Sequence, residues 1–210
     1  MPLSTFEKFL PWTGAAAGVL WGVQLFAARS PDDPADPDAV AVIGGAVTRN
    51  HVAGFALLVA SLMLVFFAAA ARRSLRSGEA GESTYSSVAH GGLLVAAAGF
   101  GLLGAVQIAL TNAAQAENAA GVATIGQLAL IGWLPALAGL VAAFWGLGLG
   151  GLRTATLPKW FAVVTVVLGV VGVLGPLAMA VYLLLPLWLI AASAVTARPS
   201  PVREHPLAGA

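Results

Sequence analysis

The chain has 210 residues, 59% hydrophobic and 9% charged, with a formal net charge of +1 and a mean hydropathy of +0.90. Soluble domains carry about 25% charged residues, so this chain lacks the polar surface that water demands, and its near-neutral balance points away from nucleic acid. Having no cysteine, it holds no disulfide, thiolate nucleophile or cysteine-ligated metal or iron–sulfur site.

A bilayer-spanning helix needs about 20 mostly apolar residues. The first such stretch, Pro11 to Ala28, opens on a proline suited to a helix start. Gly14, Gly18 and Gly22 recur along it at four-residue spacing, the pattern that lets two helix backbones approach closely in lipid. Its far flank, Phe26-Ala27-Ala28-Arg29, is a poor signal-cleavage site, so the stretch is read as a retained helix. A long loop, 30–50, follows. It begins with the acidic run Ser30-Pro31-Asp32-Asp33-Pro34-Ala35-Asp36-Pro37-Asp38 and ends in a short apolar piece from Val40 to Val47. Four aspartates so close invite comparison with a Ca²⁺ loop, but the glycine and terminal glutamate of an EF-hand are missing, and Pro–Asp alternation predicts a solvated turn.

The second span is expected at 52–71, before a basic and then Gly/Ser-rich connector, Arg72 to Ser86, of the kind that touches anionic headgroups. The third, 87–110, carries Ala97, Gly101 and Ala105 in a further small-residue row. A fourth, 122–152, contains Pro135 and closes on Gly146-Leu147-Gly148-Leu149-Gly150-Gly151. The last apolar stretch, 160–197, would reach about 57 Å as one helix, against a hydrocarbon core of about 30 Å. Gly175-Pro176 near its middle breaks it into a tight hairpin of two helices, with Pro186 inside the second. The expected fold is therefore all-α: one polytopic domain over 1–198 with six transmembrane helices, and a flexible tail at 199–210.

Charge placement fits that count. With the N-terminus inside, eight of the ten Lys and Arg fall on cytoplasmic segments, leaving Arg29 and Arg49 outside. This predicts a multi-pass protein of a bacterial cytoplasmic membrane with both termini cytoplasmic. The six tryptophans, Trp12, Trp21, Trp133, Trp145, Trp160 and Trp188, read as interface anchors.

The expected spans contain no Asp, Glu, Lys or Arg, which argues against carboxylate proton relays, arginine voltage sensors and a Schiff-base lysine. Haem needs two axial ligands at one depth. His51 and His90 belong to opposite membrane faces, roughly 25–30 Å apart, and His205 lies in the tail, so no cofactor is expected. His90 reads as a hydrogen-bonded interfacial histidine. The remaining polar residues are more suggestive. Gln24, Gln107, Thr111, Asn112 and Gln127 fall in the outer halves or at the ends of the first, third and fourth helices. If those faces converge, they line a small polar ligand pocket near the acidic loop; otherwise they make ordinary interhelical hydrogen bonds. Pro135 frees a backbone carbonyl nearby on either reading. No phosphate loop and no Ser/His/Asp set at a common depth is present.

Leu157-Pro158-Lys159-Trp160 and Leu185-Pro186-Leu187-Trp188-Leu189-Ile190 resemble recurring features of small multi-helix bacterial inner-membrane proteins of unknown function. The likeness implies topology and no activity. Three functional classes follow from the residues. The first choice is a non-enzymatic packing or accessory module, partnered by the bilayer and by a second copy or a membrane complex. A carrier or binding protein for a small neutral or lipidic molecule comes next, then a cofactor-bearing electron-transfer subunit.

Overall fold

The computed structural model describes residues 5–31, 33–79, 81 and 83–198, and among them every regular element is a helix. A short α1 (Thr5–Phe9) leads through Leu10 and Pro11 into α2 (Trp12–Ala27). The long loop contains α3 (Ala39–Gly44), and α4 (Val47–Arg76) and α5 (Thr84–Gln115) follow. Next come α6 (Ala119–Ile131), α7 (Trp133–Thr154), α8 (Lys159–Val171) and, after a 3₁₀ turn at Gly175–Leu177, α9 (Ala178–Thr196). Four helical stretches are long and apolar enough to cross a membrane: Val47–Arg76, Thr84–Gln115, Ala119–Thr154 and Ala178–Thr196. With 16 and 13 residues, α2 and α8 are shorter.

Hydropathy and charge place the second and third spans at 52–71 and 87–110, yet α4 and α5 run well past both limits. Arginine is a good helix former, and Arg73 and Arg76 complement the dipole in the last turn of α4. The fourth expected span divides at Gly132. Pro135 cannot donate to the carbonyl of Ile131, and its position in the first turn of α7 costs little there. The Trp133 indole N–H donates to the Leu130 carbonyl at 2.9 Å, satisfying one group freed by the break.

Neighbouring helices run antiparallel in a ring ordered α2, α4, α5, α7, α8, α9, with α9 returning to α2. The closest approach is between α5 and α7. Ala89, Gly92, Ala96 and Gly99 face Gly146, Ala143, Gly139 and Ala136 in that order, and a Cβ on any of the four glycines would land on the partner's backbone. Between α4 and α5, a Cβ on Gly104 would lie 2.7 Å from the Gly54 carbonyl oxygen, and the Ser61 hydroxyl donates to the Ala97 carbonyl at 2.7 Å. Gly101 also faces Ser61, whereas Ala105 is exposed and takes no part in the expected row.

The hairpin arms α8 and α9 are joined by the turn at Gly175, whose φ of +53° suits glycine. They are not packed tightly along their length: α8 lies on α7 and α9 on α2. Phe161 and Trp188 stack between the arms with centroids 6.1 Å apart, and the Trp188 indole donates to the Thr165 hydroxyl at 3.0 Å. Trp21 sits mid-bundle, 4.7 Å from the Phe100 ring and 4.2 Å from Tyr182. The anchor reading of tryptophan is thereby corrected for Trp21 and Trp188, which are core residues, while Trp12 and Trp160 are exposed. An indole fills a wide interhelical gap as readily as it seats at an interface.

Candidate functional site

Two ends of the bundle differ in character. One gathers the described cations Lys8, Arg72, Arg73, Arg76, Arg153, Lys159 and Arg198, tied together by the Arg73–Glu7 ion pair at 2.9 Å and the Arg153–Tyr85 hydrogen bond. The other is covered by the long loop. There Ala39 and Ile43 of α3 are buried against Leu110, Ala114 and Val122, rather than lying free beside the bundle. Pro34 presses on Gly126 so closely that no Cβ would fit. Asp33 and Asp36 each accept a backbone N–H two residues on, at 2.8 Å, making Asx turns of the acidic run. Asp32 lies outside the described residues. Backbone and side-chain bonds lock this end: the Arg29 N–H donates to Asn50 Oδ1 at 2.7 Å, and Arg49 donates to the Phe26 carbonyl at 3.1 Å.

Beneath the loop lies a half-enclosed cavity of about 210 Å³. Ser30, Pro31, Pro34 and Ile43 roof it; Leu57, Leu103, Val106, Leu110, Leu130 and Met179 give it apolar walls; Trp133 and Tyr182 add aromatic faces. Gln24 from α2 and Gln107 from α5 are its two amides. Gln24 Oε1 and Gln107 Nε2 are both buried without a hydrogen-bond partner. An unpaired buried polar atom costs about 1–3 kcal/mol, so such atoms call for an explanation. One is an acceptor and the other a donor, and no charged residue is among the described lining. The arrangement can hold a molecule with an apolar body and an uncharged end that both donates and accepts. A dry cavity of about 150 Å³ already accommodates benzene, so this one admits something somewhat larger.

Of the five polar residues expected to form a pocket, the structure brings Gln24 and Gln107 together at the cavity and leaves three out. Asn112 is exposed and its Oδ1 lies 3.1 Å from His51 Nε2, an end-to-end tie between α4 and α5. Gln127 is exposed, because Gly126 takes the inward position under Pro34. Thr111 is buried but spends its hydroxyl on the Gln107 carbonyl at 2.8 Å. Of the glycine stripe, Gly14 would place a Cβ 2.5 Å from Ser193 and 2.6 Å from Phe67, and Gly18 would place one 2.7 Å from the Pro186 carbonyl oxygen. Gly22 has nothing within 4 Å. A four-residue step advances about 40° around a helix, so the third member has turned about 80° away from the first.

Residues that sequence reasoning missed are Tyr182, Trp133, Met179 and the roof prolines. Tyr182 carried a signal, being a phenol in the apolar first half of α9; the others carried none. Compared with protein-family models, with curated proteins and with solved structures, the chain matches none of them. The cavity and its chemistry therefore carry the functional argument.

Proposed function

We propose that this chain is a six-span protein of a bacterial cytoplasmic membrane that binds a small, uncharged, mostly apolar molecule in the cavity at its outer end. One observation carries the binding role: two buried amide atoms of opposite hydrogen-bonding sense, one on each of the helices α2 and α5 that flank α4, lack partners, and both side chains line a single cavity. The accessory-module reading rests on the glycine stripe, but Gly14 and Gly18 are covered by α4 and α9 of the same chain. Hence the binding reading is preferred.

Six spans are supported by the ring of antiparallel helices, in which the shorter α2 and α8 run beside longer neighbours, and by the concentration of cations at one end. Outward-facing Val, Leu, Ile and Phe side chains on α2, α4, α5 and α7 to α9 suit contact with lipid. Reporter tags on the two termini should both register cytoplasmic; a periplasmic C-terminus would overturn the count of six. For the binding role, the protein is extracted from its own membranes in mild detergent and weighed intact by native mass spectrometry. A retained small neutral ligand, or a rise in melting temperature with octanamide or octanol as probes, is the expected result. A bare chain that no such probe stabilises refutes the proposal.

A further inference from the structure

At the end of the bundle opposite the cavity, a cleft of about 550 Å³ opens between α4 and α5. Its cationic lining is Arg72, Arg73 and Arg76 from α4, with Ser77 beyond them and His90 from α5. The spacing of the three arginines (i, i+1, i+4) puts Arg72 and Arg76 about one turn apart on the same face, a rise of about 6 Å. The antiparallel register that sets Ser61 against Ala97 brings His90 level with Ala68 and Ala69, one turn deeper than Arg72. The cleft thus presents an ascending ladder of His90, Arg72 and Arg76.

Two features make this more than a charged surface. Arg72 Nε and His90 Nδ1 are both buried atoms without a hydrogen-bond partner, one from each wall. Of the described carboxylates at this end, Glu7 pairs with Arg73, and Glu79 accepts from the backbone N–H and hydroxyl of Ser86, outside the cleft. Among the described residues, Arg72 and Arg76 have no acidic partner. A guanidinium fork matches the paired oxygens of a phosphate, and an imidazole N–H adds a third donor. The floor is apolar, at Ala69.

We propose that this cleft binds the phosphodiester headgroup of an anionic phospholipid, its acyl chains lying along the apolar surface of α4 and α5. The donors recognise phosphate chemistry, and the adjoining exposed Val65 and Leu94 favour a lipid over free phosphate as its source. The proposal does not depend on the outer cavity or its ligand.

The test is native mass spectrometry of the full chain in mild detergent, titrated separately with phosphatidylglycerol, phosphatidylcholine and inorganic phosphate. Phosphatidylglycerol should be retained in preference to phosphatidylcholine. The double variant Arg72→Gln/Arg76→Gln should weaken that retention roughly 25-fold, from about fivefold per headgroup-facing arginine. Arg153→Gln, at the same end but outside the cleft, should bind like the parent protein. Equal retention of the two lipids overturns the inference, as does equal loss in Arg153→Gln, which would indicate diffuse charge. If inorganic phosphate displaces the lipid at equal concentration, the site takes the free ion and the lipid assignment falls. Should the double variant melt early, Arg72→Lys with Arg76→Lys keeps the charge but removes the fork, and undiminished phosphatidylglycerol retention there would refute recognition by the guanidinium fork.

Discussion

Gly139→Leu should cost about 3 kcal/mol or more and lower the melting temperature by roughly 6–12 °C in detergent. The residue lies where α7 meets α5 backbone to backbone, with a would-be Cβ falling on Ala96. A clash with a flexible side chain can be relieved by a new rotamer; a clash with main chain requires the helices to separate. Separation would be transmitted along the seam, because Gly92, Gly99 and Gly146 depend on the same interaxial distance. In lipid that distance matters doubly, since close dispersion contact rather than hydrophobic exclusion drives helix association. Gly22→Leu is the matched control. It adds the same side chain to a helix glycine with open space around it, so its effect should stay within about ±0.5 kcal/mol. Thermal denaturation followed by circular dichroism separates the two. Equal melting temperatures for both variants would contradict the α5–α7 seam.

Replacing Gln24 and Gln107 together by leucine should raise the stability of the unliganded protein while abolishing its response to a polar-headed probe. Both effects have one origin. In the free protein each unpaired buried amide atom costs about 1–3 kcal/mol, a penalty that leucine of similar volume does not incur. In the complex the same atoms meet a donor and an acceptor on the ligand, and the variant loses about tenfold in affinity for each hydrogen bond not made. The expected pattern is a melting temperature several degrees higher without octanamide and no further shift with it. If the amides instead serve as interhelical ties, the double variant melts earlier, and the binding proposal fails.

How much of this was legible beforehand varies with the kind of information. Apolar runs and breakers located the helices well: Pro11, Gly175 and Pro176 fall at observed discontinuities. Helix ends were less legible, because Arg72 to Arg76 read as a loop by charge but propagate α4 by propensity. Gln24 and Gln107 were picked from their depth alone, and depth is a property of one helix at a time. Which face each residue takes depends on rotation about the helix axis, and that is fixed by packing. Asn112 and Gln127 lie at the expected end but point elsewhere for this reason. The small-residue seam was present in the sequence as a 3-4-3 spacing on two separate helices, Ala89 to Gly99 and Ala136 to Gly146. A search restricted to four-residue steps finds neither row, and pairing them requires knowing that α5 and α7 run antiparallel. The roof contributed by Pro34 and Ile43 arises from long-range contacts that no local pattern encodes.

The closure of the ring by α9 bears on how the chain is built. Synthesis delivers α9 long after α2, yet the glycine face of α2 has its seat against this later helix at Ser193, Leu189 and Pro186. Until α9 emerges, α2 can settle on α4 but retains an open groove beside Gly14 and Gly18, and Trp21 lacks the Tyr182 ring that meets it edge to face. That groove fits any slender apolar helix that passes. Nascent chains stalled before residue 178 would therefore be the species that capture a neighbour's α9, exchange segments between copies, or present themselves to the machinery that clears incomplete membrane proteins.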